Sequence, residues 1–295
     1  MNAAEGGLAG RVRLPSPLAG LPDERLAPYG VRLLLKRDDL IHPEVPGNKW
    51  RKLRHNLDAA REQGFGRLLT FGGAYSNHIR ATAAAGHHLG FETVGVIRGE
   101  EHRPLNDSLA YAAGRGMVLT YLDRATYRRK TEPDVLARLA ERFGACYVLP
   151  EGGSNGLAVR GCAELPAEIT TEFDVIACAC GTGGTLAGIA AGLGAGQRAL
   201  GFAVLKGGRF LDDEVRRLQR EAFGAATANW TIDYDFAFGG YAKRKPELDA
   251  FIAGFGARHG ITLDWVYEAK MLYGLFVRIE AGEFAAGTRI VAVLS

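Results

Sequence analysis

The chain has 295 residues, 47% hydrophobic and 23% charged, a soluble globular composition with room for one large or two medium domains and none for wholesale disorder. Its formal net charge of +3 comes from 36 basic and 33 acidic residues mixed along the sequence, so no basic run marks a nucleic-acid or membrane footprint. Four cysteines, Cys146, Cys162, Cys178 and Cys180, are too few for a disulfide framework, and with neither a signal peptide nor an apolar span of membrane length a reducing cytoplasm is expected.

In chain order, the first informative segment is Pro46-Gly47-Asn48-Lys49-Trp50-Arg51-Lys52-Leu53. Pro46 and Gly47 break what precedes, and Asn48 is a good N-cap, which predicts Lys49 as the first helical residue. At about 100° per residue, Trp50, Leu53, Leu57 and Ala60 share one apolar face, with Lys49 roughly 60° from its centre and Lys52 roughly 120° away. Lys49 is therefore expected to point partly inward and Lys52 toward solvent. A lysine in such a place ordinarily lays its stem on the core and snorkels its ammonium to water. A covalent role needs support from other residues.

Short apolar runs at 67–71, 93–97, 118–122, 146–149, 175–180, 200–205 and 290–294 read as buried strands, with helical patterns between most of them. The 40 glycines gather at the ends of these runs, where an α/β protein places its functional turns. The alternation predicts one or two open, mainly parallel sheets with flanking helices and with functional residues at the carboxyl ends of strands. No internal repeat or low-complexity linker is present.

The strand at 67–71 runs into Gly72-Gly73-Ala74-Tyr75-Ser76-Asn77-His78 and an alanine-rich helix over 79–89. Such a loop can offer backbone N–H groups and the Ser76, Asn77 and His78 side chains to a ligand; alternatively, Ser76 or Asn77 only caps the helix. Pro150-Glu151-Gly152-Gly153-Ser154-Asn155-Gly156 also follows a strand and precedes a helix. The strand at 175–180 leads into Gly181-Thr182-Gly183-Gly184-Thr185 and a helix from about Leu186, a candidate cradle for a phosphate monoester. It is neither a Walker A loop nor a dinucleotide fingerprint, since no Gly-Lys-Ser/Thr follows and Leu186 stands where a third glycine belongs. Further on, Gly239-Gly240-Tyr241 and Trp265-Val266-Tyr267-Glu268-Ala269-Lys270 each set a tyrosine beside a turn or helix start, where packing with a wet hydroxyl is the ordinary role.

A metal site is not expected. Cys178 and Cys180 share a strand face but lack a second ligand pair, and His87 and His88 diverge by about 100° on a helix. Nor does a Gly-x-Ser-x-Gly elbow make Ser76 a hydrolase nucleophile.

Taken together, Leu35-Lys36-Arg37-Asp38-Asp39, Gly47-Asn48-Lys49-x-Arg51-Lys52-Leu53, Gly72-Gly73-x-x-Ser76-Asn77-His78 and Gly181-Thr182-Gly183-Gly184-Thr185 resemble, in this order, the pyridoxal-phosphate enzymes of the tryptophan-synthase β fold. The match is most similar to the 1-aminocyclopropane-1-carboxylate deaminase and D-cysteine desulfhydrase family and runs from about Leu33 to the end. The resemblance implies two open parallel-type sheets, with residues 51–146 forming a smaller α/β domain inserted between the parts 1–50 and 147–295 of a larger cofactor domain, the cofactor in the cleft, and a homodimer. It implies that Lys49 forms a Schiff base with pyridoxal 5'-phosphate and later serves as base, that Asn77 bonds the cofactor's phenolic oxygen, and that Gly181, Thr182, Gly183, Gly184 and Thr185 hold its phosphate. Ser76 and Tyr267 are then the further catalytic candidates, and Ser76, Asn77, His78, Tyr241 and Tyr267 the substrate-binding ones.

The expected reaction cleaves a small amino acid to a 2-oxo acid and ammonia. One departure is that the sequence ends at Val291-Ala292-Val293-Leu294-Ser295, where the family continues into a His-x-Gly-Gly turn. The alternative reading is therefore a pyridoxal-phosphate-binding protein whose catalysis is weak or lost with that segment, and a third is a nucleotide-binding domain that uses the glycine loops without Lys49.

Overall fold

The computed structural model describes residues 11–295. In chain order, strands β1 (Leu18–Gly20) and β2 (Arg32–Arg37) come first, then helix α1 (Asn48–Glu62), β3 (Arg67–Gly72), α2 (Asn77–Leu89), β4 (Glu92–Arg98), α3 (Asp107–Gly114), β5 (Val118–Leu122), α4 (Arg124–Arg128), α5 (Pro133–Phe143) and β6 (Tyr147–Leu149). They are followed by α6 (Gly156–Ala163), β7 (Val175–Cys180), α7 (Gly184–Gly192), β8 (Arg198–Ala203), α8 (Phe210–Phe223), β9 (Trp230–Asp233), α9 (Pro246–His259), α10 (Glu268–Glu280) and β10 (Arg289–Leu294). No helix of the described residues is long and apolar enough to cross a membrane.

The chain forms two compact units, a larger one from 14–40 and 155–295 and a smaller one from 41–154 with the short segment 11–13. The larger holds a six-stranded sheet in the order β1-β2-β10-β7-β8-β9, in which β1 pairs antiparallel to β2 and the other neighbours are parallel. In the central strand β10, Ile290, Ala292 and Leu294 enter one apolar cluster and Val291 and Val293 the other, so helices cover both faces, as a continuous apolar run requires. The smaller unit holds an all-parallel sheet ordered β5-β4-β3-β6.

The unit boundaries lie outward of 51 and 146 because α1 belongs wholly to the smaller unit, where Leu53, Leu57 and Ala60 pack with Val45, Leu68, Ala81 and Leu149. Lys49 is thereby a residue of the smaller unit rather than of the segment 1–50 assigned to the larger one. The Leu35–Asp39 block is built into the larger unit: the fully buried Lys36 Nζ donates to Ser16 O at 2.6 Å and to Glu168 Oε2 at 2.7 Å, and Ser16 Oγ donates to Asp38 Oδ1 at 2.6 Å. A buried ammonium of this kind must be paired and hydrogen-bonded to be tolerated.

Candidate active site

In the smaller unit, Gly47 rather than Asn48 stands at the N-cap of α1. Its φ of +58° is a left-handed conformation that favours glycine, and no side chain caps the helix, so Asn48 is the first helical residue and Lys49 the second. Lys49 is half-buried, and its Nζ donates to Asn48 Oδ1. Lys52 corrects the solvent-facing expectation. It is 3% exposed, and its Nζ donates to Gly152 O at 3.1 Å and Ser154 Oγ at 3.0 Å. The helix wheel accounts for one apolar face, but the turn after β6 covers a second flank of α1, and Lys52 supplies the donor for that turn.

The loop after β3 is set by close packing. A Cβ on Gly72 would lie 2.6 Å from Ile79 Cγ1 and 2.8 Å from Ser76 Oγ, so only glycine fits there. Ser76 is the N-cap of α2, its Oγ accepting from Ile79 N at 3.4 Å. Asn106 Nδ2 donates to Ala74 O at 3.1 Å and ties the loop to the start of α3. Asn77, half-buried in the first turn of α2, has a carboxamide with no hydrogen-bond partner among the described residues.

His78 lies differently from a substrate contact, for its ring is buried at 1% exposure. Thr70 Oγ1 gives its single proton to Leu149 O at 3.1 Å and therefore accepts from His78 Nε2 at 2.9 Å, which places the imidazole proton on Nε2. Burial, and then the charges of Lys49 and Lys52, hold the imidazole well below its usual pKa, so it stays neutral. A Cβ on Gly153 would lie 2.7 Å from His78 Cε1, so the glycines after β6 leave room for this ring. Gly152, Gly153 and Ser154 thus brace Lys52 and His78 within the smaller unit.

In the larger unit, the turn between β7 and α7 carries the glycine and threonine residues. Gly183, the N-cap of α7, has a φ of +78°, and a Cβ there would lie 3.1 Å from Val215 Cγ2. A Cβ on Gly181 would lie 3.2 Å from Tyr267 Cε1, so a side chain would crowd the Tyr267 ring at Gly181 and Val215 at Gly183. The first turn of an α-helix presents N–H groups without intrahelical acceptors, a setting suited to a phosphate ester. Asp264 Oδ1 accepts from Tyr267 N at 2.7 Å and Val266 N at 2.9 Å, which fixes the turn before α10 and holds the Tyr267 ring beside Gly181. Tyr267 Oη donates to Tyr241 Oη at 3.4 Å, with the two ring centroids 6.1 Å apart. Cys178 and Cys180 are buried and form no disulfide, and among the described residues no cluster of three or more His, Cys, Asp or Glu could hold a metal ion.

Glu268, next to Tyr267, was not among the sequence candidates. It is 6% exposed, accepts from Ser295 N and from Asp264 N at 3.2 Å, and burial raises its carboxyl to about 7. Its only sequence signal is adjacency to Tyr267; its burial is a tertiary property.

Each unit thus presents its own set of polar groups, Lys49 and Asn77 in the smaller one and the 181–185 turn with Tyr241 and Tyr267 in the larger one. The chain belongs to the pyridoxal-phosphate dependent enzymes: the model of that family matches residues 13–295. Among its relatives is the bifunctional D-cysteine desulfhydrase/1-aminocyclopropane-1-carboxylate deaminase, mitochondrial, of Arabidopsis thaliana, 32% identical over 293 residues, covering 90% of this chain and 72% of that protein. D-cysteine desulfhydrase of Klebsiella pneumoniae is 30% identical over 292 residues, covering 92% of this chain and 88% of the relative. A crystal structure of an ACC deaminase homologue superposes with a TM-score of 0.84 at 30% identity, covering 100% of this chain and 94% of that one.

Proposed function

We propose that this enzyme is a deaminase or carbon–sulfur lyase of the 1-aminocyclopropane-1-carboxylate deaminase or D-cysteine desulfhydrase type. Lys49 carries the reading: it is the half-buried amine that the first turn of α1 presents, three residues before the buried Lys52. Pyridoxal phosphate, when bound, supplies an electron sink for bonds broken at the α-carbon of an amino acid. Lys49 would hold it through Nζ, and the free Lys49 amine would take a proton at Nζ. The Asn77 carboxamide serves the cofactor's phenolic oxygen, and the 181–185 turn takes the phosphate. Glu268, as the buried carboxyl beside Tyr267, answers the pyridine nitrogen.

Ser76, with the N–H groups opening α2, receives the substrate carboxylate, while the Tyr267 hydroxyl, paired with Tyr241, serves the leaving side of the substrate. D-cysteine and water would yield pyruvate, ammonia and hydrogen sulfide. The cyclopropane amino acid has no α-proton; with water it would yield 2-oxobutyrate and ammonia after proton transfer or attack at a ring carbon. His78 acts as an uncharged brace in this reading. We further propose a homodimer and, from four cysteines that form no disulfide, a reducing cytoplasm.

The test is a panel of amino acids, including both enantiomers of cysteine and the cyclopropane substrate, added to the yellow holoprotein while 2-oxo acid and ammonia are measured. Production from at least one member supports the reading; a fully loaded protein that releases no 2-oxo acid from any of them sinks it. Ser76→Ala is expected to retain cofactor and lose turnover, and also to lose about 1 kcal/mol of stability with the helix cap. Parallel absorption, rate and urea-unfolding measurements separate these effects. Loss of cofactor in this variant would reassign Ser76 to a purely structural cap.

A further inference from the structure

Lys270, on α10 one turn beyond Tyr267, is fully buried, yet its ammonium makes no ion pair among the described residues. Its Nζ instead donates to two backbone carbonyls, Ala237 O at 3.0 Å and Gly240 O at 2.8 Å. These carbonyls bracket the turn that delivers Tyr241. The turn is a demanding one: Phe238 and Ala242 have φ of 52° and 50°, in the left-handed region that non-glycine residues avoid, and Gly239 and Gly240 have φ of 92° and 123°. Backbone bonds from Gly240 N to Ala237 O and from Lys243 N to Gly240 O close it locally. The Tyr273 ring packs on Phe236 and Phe238 on its apolar side, with centroids 6.1 and 5.0 Å apart.

We infer that Lys270 is a positioning residue: by clamping the 237–240 turn, it sets the Tyr241 hydroxyl against that of Tyr267. A charge stripped of water and given only carbonyls is costly, and it is kept where carbonyl oxygens must converge on one point. Burial lowers the lysine to about 8, in keeping with a site built for donor geometry rather than for a salt bridge. The functional part of the inference rests on the reading of Tyr241 and Tyr267 as substrate-pocket residues.

The experiment uses the holoenzyme with 3-fluorotyrosine at position 241, in the wild type and in Lys270→Met. The two local backbone bonds and the Tyr273 contacts remain in this variant, so the chain should fold and take up cofactor. The fluorine line of Tyr241 is expected to shift and broaden, and kcat to fall on the order of 100-fold, the scale of a misplaced catalytic contact. Tyr241→Phe should fall by a similar factor, and the double variant should be no slower than either single one. Lys270→Gln, which keeps a donor, should recover part of the rate, and it carries the test if Lys270→Met is poorly folded. An unchanged fluorine line, or rate losses that multiply in the double variant, would overturn the inference. If Tyr241→Phe alone leaves turnover intact, Tyr241 leaves the proposed pocket, while the fluorine line still decides whether Lys270 holds it.

Discussion

Lys49→Ala is expected to abolish the visible absorption of the lysine-linked cofactor and to reduce turnover by at least roughly 10²–10⁴-fold, the loss associated with a positioned acid–base group alone. Lys49 is half-buried and bonded to its neighbour Asn48, so the variant should stay within about 1 kcal/mol of wild-type stability. Lys52→Ala should do the reverse. Its ammonium supplies donors to Gly152 O and Ser154 Oγ in a buried place, and removing it takes these hydrogen bonds away at a cost of about 1–3 kcal/mol. The cofactor band should survive that change. Absorption spectra of the two purified variants after incubation with pyridoxal phosphate, beside urea unfolding, give the comparison. A band lost from Lys52→Ala and kept by Lys49→Ala would exchange their roles and remove the central assignment.

What separates these two lysines marks the reach of the sequence. The apolar stripe at Leu53, Leu57 and Ala60 was legible because it obeys the helical period, and it is buried as that period predicts. The second covered flank was not, because it is made by residues about 100 positions away, at Gly152 and Ser154. The seven apolar strands follow the same logic. All seven form, whereas the three-residue β1, the charge-punctuated β2 and the short edge strand β9 lack the continuous apolar run that signals double-faced burial. Glycine turns at 72, 181 and 183 could be placed from sequence, but what crowds a side chain there is contact with Ile79, Tyr267 and Val215, tightest at Gly72 and joined at Gly183 by a positive φ. His78 reads as a ligand-facing residue beside Asn77 and proves to be sealed under Gly153, since one step along the first turn of α2 rotates it into the core. Glu268 is the opposite case, a charged residue that carries no sequence signal of burial and that the fold buries.

That buried carboxyl should leave a pH signature in the cofactor-free protein. Below the ordinary glutamate value of 4.5, Glu268 is protonated in both folded and unfolded chains and gives no pH dependence. Between 4.5 and about 7 the folded chain retains a proton that the unfolded chain has released, so stability falls as pH rises, and above about 7 this contribution is lost in full. At about 1.4 kcal/mol per pH decade the difference amounts to roughly 3 kcal/mol. Glu268→Gln keeps one of the two oxygens that accept from Asp264 N and Ser295 N, loses the other to an NH2 group, and cannot ionise. Its urea-unfolding free energy should therefore rise relative to wild type between pH 5 and 8, by up to roughly 3 kcal/mol. Parallel pH curves for the two proteins would show that the carboxyl titrates normally and is not desolvated. If Glu268 faces the pyridine nitrogen as proposed, bound pyridoxal phosphate would favour its carboxylate, so the wild-type slope should flatten while that of the variant does not change. Cofactor affinity should then drop in Glu268→Gln most clearly above pH 7, where the wild type has a full negative charge to offer the pyridine nitrogen and the variant has none.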